Sequence, residues 1–146
     1  MRTLWSLLVT VVLTTIVAPS ALATLGGAAM NTTPETSVSA AAMTSTLKLN
    51  AYQTILPSGT VIKEYVNANN IVVAVTWNGP ILPDFRQLFG TYFDQYVTNA
   101  QTTPSRLRHI LVTTNALVVV SHGHFKAFQG MAYLPELVPA GFVFNE

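Results

Sequence analysis

The chain has 146 residues, with seven Lys or Arg, six Asp or Glu and no cysteine, and only 9% of it is charged. Such a near-neutral chain of single-domain length excludes a nucleic-acid surface built on bulk positive charge. The missing cysteines exclude disulfides, thiolate metal sites and a lipid-modified cysteine.

Residues 1–23 have the order of a secretory signal peptide. Met1-Arg2 gives a positive start, and Leu4–Val17 is an apolar run. Ala18-Pro19-Ser20 breaks it, and Ala21-Leu22-Ala23 places small residues two apart. The competing reading is a retained membrane anchor. A spanning helix needs roughly 20 apolar residues, and this run is shorter and holds Thr10, Thr14 and Thr15. Cleavage after Ala23 is therefore expected, which makes the protein periplasmic or secreted with no stable membrane insertion. Arg2 leaves with the leader, so the remaining basic and acidic residues balance.

Residues 24–48 form an arm rich in alanine, serine and threonine. Thr33-Pro34-Glu35 offers a cap and a first-position proline for a short helix through Ala42, although the apolar pattern is too weak to anchor it alone. Asn31-Thr32-Thr33 matches a short glycosylation acceptor. Residues 49–146 read as one α+β domain.

The domain opens with three strands. Ala51–Leu56 ends at Pro57-Ser58-Gly59, a turn in which Pro presets φ and Gly permits positive φ. Thr60–Val66 is rich in β-branched and aromatic residues. Asn67-Ala68-Asn69-Asn70 makes the second turn, since asparagine tolerates left-handed geometry. Ile71–Trp77 is almost wholly apolar, as a central strand buried on both faces requires. The short links predict an antiparallel meander.

After Asn78-Gly79-Pro80 the apolar period changes to about 3.6. Phe85, Leu88, Phe89, Tyr92, Phe93, Tyr96 and Val97 fall on one helical stripe. Asp84 can cap this helix, with Gln87 three residues on, and Gly90 marks a point of close packing. Three more strands follow at Leu107–Thr113, Ala116–Ser121 and Phe125–Tyr133. His122-Gly123 is read as a tight reversal and Gly130 as a bulge. The expected fold is α+β: an antiparallel sheet of about six strands in the order β-β-β-α-β-β-β, with one amphipathic helix packed on it.

Several stretches resemble the domain of unknown function 2844 family. They are Leu56-Pro57-Ser58-Gly59-Thr60-Val61-Ile62-Lys63-Glu64-Tyr65-Val66, Trp77-Asn78-Gly79-Pro80, Pro83-Asp84 and Leu88-Phe89-Gly90-Thr91-Tyr92-Phe93, with Leu117-Val118-Val119 and Phe128-Gln129-Gly130-Met131-Ala132-Tyr133-Leu134-Pro135. The family pattern has a glycine near Asn69-Asn70 and a basic residue near Met131, and this chain departs at both. The resemblance implies a small exported bacterial protein of one domain. It brings no catalytic residue with it.

Candidate chemistry is sparse. His122, His124 and His109 are the candidate metal ligands, because imidazole binds transition metals well. A turn at Gly123 would spoil their geometry, and a zinc site wants three or four ligands, so no metal or other cofactor is expected. No cysteine nucleophile exists, and no Gly-x-Ser-x-Gly elbow accompanies the serines. Ser121 and His122 are strand neighbours that point to opposite faces. Lys63, Glu64 and Tyr65 form the most interesting polar trio. Alternation puts Lys63 and Tyr65 on one face and Glu64 on the other, and the ordinary expectation for a charged strand residue is solvation.

No catalytic residue stands out, and neither a phosphate loop nor a basic patch points to nucleotides or nucleic acid. These features together favour a non-catalytic binding or accessory protein of the bacterial cell envelope, with another envelope protein as its partner. The alternative is a periplasmic hydrolase or metal-dependent enzyme whose site assembles from scattered residues.

Overall fold

Short turns between apolar runs bring successive strands side by side, and the chain does this on both sides of its helical segment. The computed structural model describes residues 24–29, 36–42, 45–102 and 109–138. The expected leader, the Asn31-Thr32-Thr33 acceptor and the Thr33-Pro34-Glu35 cap lie outside the described residues.

The strands are β1 (Thr36–Ala42), β2 (Ser45–Ile55), β3 (Val61–Val66), β4 (Val72–Gly79), β5 (His109–Thr113), β6 (Val118–His124) and β7 (Ala127–Tyr133). Among the described residues they form one antiparallel sheet in the order β1-β2-β3-β4-β7-β6-β5. Strands β1 to β4 are a meander. The helical segment then carries the chain to the far edge, and β5 to β7 return to pair with β4. This is the expected β-β-β-α-β-β-β order with one strand added in front. That strand, β1, replaces the short helix expected to run through Ala42. Ser45 opens β2 opposite Ala42, and the hairpin register supplies backbone partners along residues 36–42.

The turns form as their residues dictate. Asn67 Oδ1 accepts from the N–H groups of Asn69 and Ile71, at 2.9 and 3.1 Å, and Asn70 takes the left-handed conformation with φ 60°. The expected reversal at His122-Gly123 is not there. Gly123 stays in β6 with φ 151°, and a Cβ on it would collide with the Ala127 carbonyl and with Phe128. Its glycine serves close strand approach, and the turn falls at Phe125-Lys126, between the paired residues His124 and Ala127. Gly130 is also not a bulge. It pairs in register with Trp77 and Ser121, and the register shift lies at Tyr65/Val66.

The predicted stripe forms two helices, α1 (Phe85–Phe89) and α2 (Phe93–Thr102), joined by a 3-10 turn over Gly90–Tyr92. Asp84 caps α1 by accepting from the Arg86 N–H at 2.9 Å and the Gln87 N–H at 3.4 Å. The single continuous helix fails at Gly90, whose φ is 51° and whose missing Cβ leaves room for the Thr24 methyl group. Residues 24–29 lie against this break. Leu25 N–H donates to Leu88 O at 3.0 Å, Gly26 N–H to Val72 O at 2.8 Å, and Leu25 is buried.

The helical stripe packs on one face of the sheet. Leu88, Phe89 and Tyr96 join Tyr52, Ile62, Val75, Trp77, Val119 and Ala132 in the main core. Phe85 stacks on Phe89 with ring centroids 4.9 Å apart, and Trp77 lies 5.0 Å from Phe85. Phe89 is fully buried. Phe89→Ala should cost about 3–5 kcal/mol, read as a lowered denaturation midpoint, and an unchanged midpoint would contradict this packing. Burial also pushes the Tyr96 hydroxyl above its ordinary pKa of 10.0. Tyrosine in the unfolded chain then ionises at lower pH than folded Tyr96. Its contribution to stability is full below about pH 10 and is lost as pH rises through the folded value. Tyr96→Phe should shallow the alkaline fall in stability, measured by denaturant titration at rising pH.

Candidate functional site on the open sheet face

Strand alternation sends every second side chain away from the helices. A small apolar cluster of Leu49, Ala51, Tyr65, Val73, Ala74 and Val138 forms on that opposite face, near one end. Beyond that cluster the face over β2, β3 and β4 is mostly polar, whereas Met131, Val120 and Leu111 carry the Thr76 row on as an apolar strip across β7, β6 and β5. Gln53, Lys63 and Thr76 lie in register across β2, β3 and β4. The next row runs Val61, Asn78, Gln129, His122 and His109 across β3, β4, β7, β6 and β5.

Gln53, Val61, Lys63, Thr76, Asn78 and Gln129 line an open depression of about 400 Å³, with Gly59, Trp77, Gly79 and Gly130 completing its walls. Two turns hold its rim. Thr60 is buried, and its hydroxyl donates to Ile81 O at 2.6 Å, which ties the β2–β3 hairpin to the chain leaving β4. Gly79 packs directly on Thr60, where a Cβ would collide. Three of the stretches that carry the family resemblance, around Gly59–Lys63, Trp77–Gly79 and Gln129–Gly130, meet here.

Lys63 is half-buried and makes no hydrogen bond or ion pair with another described residue. The described acidic side chains sit elsewhere. Glu64 points to the helix side, Asp84 caps α1, Asp94 is exposed on α2, and Glu136 is exposed beyond β7. The depression therefore carries one cation among uncharged hydrogen-bonding groups.

The sequence-predicted residues separate as follows. Lys63 is in the depression. Tyr65 shares its face but is buried in the apolar cluster. Glu64 takes the other face as expected, but it is not solvated. It is 1% exposed, flanked in register by Tyr52 and Val75, and is not without a partner. The core extends over β2 and β3 far enough to enclose it. His109 and His122 are cross-strand partners with ring centroids 6.5 Å apart, both exposed. β6 runs on through Gly123, so the turn expected to spoil the histidine geometry is not there. His124 lies on the same face, with Nδ1 3.2 Å from the Phe125 carbonyl oxygen. Among the described residues, no three or more His, Asp or Glu side chains gather to hold a metal. Sequence reasoning missed Gln53, Thr76, Asn78 and Gln129. Asn78 and Gln129 lie in stretches that carry the family resemblance, whereas for Gln53 and Thr76 the only signal is their position on strands.

The fold and this face define a class: an antiparallel α+β domain with helices on one side of its sheet and a polar depression on the other. The chain belongs to the family described as Protein of unknown function (DUF2844), whose model matches residues 21–146. No curated protein and no solved structure matches it. Among the described residues, no helix is long and apolar enough to cross a membrane.

Gly130 joins the two sides of the sheet. Trp77 lies over it on the helix side, and a Cβ at Gly130 would collide with the indole and with the Val120 carbonyl. Overpacking of this kind costs about 1–3 kcal/mol. Gly130→Ala should lower the denaturation midpoint and shift the fluorescence of Trp77. Native-like emission and an unchanged midpoint would show that the indole has room to move.

Proposed function

We propose that the protein is exported and acts as a non-catalytic binding or accessory protein of the bacterial cell envelope, with the open sheet face as its binding surface. The observation that carries this reading is the depression of hydrogen-bonding side chains around Lys63 on the face that the helices leave bare. Its volume of about 400 Å³ falls in the range of small-ligand sites. Covalent catalysis needs a nucleophile, a base within hydrogen-bond reach and a group to orient that base. The side chains lining the depression do not offer that set. The leader-like order of residues 1–23 supports export, and with it a processed chain that begins at Thr24.

The exposed His109–His122 pair is the feature that would serve the competing reading, a metal-dependent enzyme. Two imidazoles fall short of the three protein ligands of catalytic zinc sites.

Two measurements test the proposal. Intact-mass analysis of protein recovered from the envelope should give a chain starting at Thr24, and finding Met1–Ala23 still attached in the membrane fraction refutes export by cleavage. A screen for esterase, phosphatase, peptidase and glycosidase turnover, run beside a pull-down from envelope extract, should give a partner or ligand and no turnover. Robust turnover lost on His122→Ala, with nothing recovered by the pull-down, would put the enzyme first.

A further inference from the structure

We infer that the Lys63 depression takes a small hydroxylated acid, with the ammonium group seating its carboxylate and the surrounding side chains binding its hydroxyls. This inference rests on the binding reading above and names the ligand that the site fits.

Among the described lining residues the charge comes from Lys63. Its stem lies in the sheet between Val61 and Tyr65, and its direct cross-strand neighbours are Gln53 and Thr76. Side chains directly opposite have Cβ atoms about 5 Å apart, so the long Gln53 side chain can reach a group held at the ammonium, while Thr76 is 6% exposed at the base of the Lys63 stem. Among the described residues no acidic side chain lines the depression, so a cationic ligand would meet repulsion without compensation. An anion gains a charge-assisted hydrogen bond, which is stronger than one between neutral groups.

The kind of anion follows from the rest of the lining. Among the described residues no arginine fork lines the depression. Arginine forks match phosphate bidentately, whereas a lone ammonium acts as a point charge, so a singly charged carboxylate is the better match. The amides of Gln53, Asn78 and Gln129 each carry donors and an acceptor, and the Thr76 hydroxyl does both. Hydroxyl groups on a ligand also donate and accept, and they match such a lining where a purely apolar acid does not. Val61 lies within the depression, and Ile55, its cross-strand neighbour, is 65% exposed beside it. Together they give the C–H face of such a molecule an apolar edge.

The test is calorimetric titration of the processed protein with D-glucuronate, D-gluconate, D-glucose and inorganic phosphate at low salt. Saturable binding of at least one acid is expected, about tenfold or more tighter than D-glucose. Lys63→Gln should weaken the acid about tenfold and abolish its preference over D-glucose, while Lys63→Arg keeps the charge and most of the affinity. Circular dichroism of both variants confirms that they fold. D-glucose binding as tightly as the acids, or phosphate displacing them, overturns the assignment of a carboxylate and leaves the binding surface in place. Failure of both acids to bind at millimolar concentration overturns the ligand class. The binding reading itself fails on different grounds, namely turnover in the enzyme screen with no partner or ligand recovered from the envelope.

Discussion

One helical segment cannot cover both faces of this sheet. Seven strands spaced about 4.8 Å apart span roughly 29 Å, and a helix with its side chains is only about 10–12 Å across. The chain gives the helices one face and makes that face its core. Trp77, Phe85, Phe89 and Tyr96 interlock there, and the absent side chain of Gly130 admits the indole. Aromatic contacts of this kind add about 0.5–1.5 kcal/mol each beyond their buried area. The other face keeps a small apolar cluster with Val138 and, across β7, β6 and β5, the row of Met131, Val120 and Leu111. The polar depression follows from that division of labour, because alternation along β3 and β4 must send Lys63, Thr76 and Asn78 away from the helices when it sends Ile62, Val75 and Trp77 toward them.

The same constraint explains the turns at the rim. A depression in a sheet keeps its shape only if the strand ends around it are fixed. Thr60 fixes one corner through its hydrogen bond to Ile81, and Gly79 lets the two segments meet backbone to backbone. Residues 24–29 fix the far side of the molecule by wedging between α1 and β4. They bring Thr24 against Gly90 and so impose the break between the two helices.

Much of the fold was legible because strong local signals agreed with it. The alternation in β3, the asparagine turn before β4 and the helical stripe with its Asp84 cap all carried through. The failures came where a residue type has two uses. Gly123 and Gly130 looked like turn and bulge glycines, yet both stand in regular strands where a neighbour comes too close for a Cβ. The actual turn, Phe125-Lys126, has no glycine or asparagine, and Lys126 takes a φ of 64° that its residue type rarely adopts. Solvation is the ordinary expectation for Glu64 because sequence alone does not show how far a core spreads across strands. The depression was half legible. Lys63 stands out by its charge, whereas Gln53, Thr76, Asn78 and Gln129 are brought around it only by cross-strand register, which a single sequence does not contain.

The proposed ligand meets the protein on the face without helices. Side-chain amide and lysine NMR signals report this directly, in the processed protein titrated with D-glucuronate. Binding there should give saturable shifts confined to Lys63 and the amides of Gln53, Asn78 and Gln129, with Gln87 and Gln95 on the helices unmoved. Shifts centred on Gln87 and Gln95, with Lys63 and its neighbours silent, would contradict it.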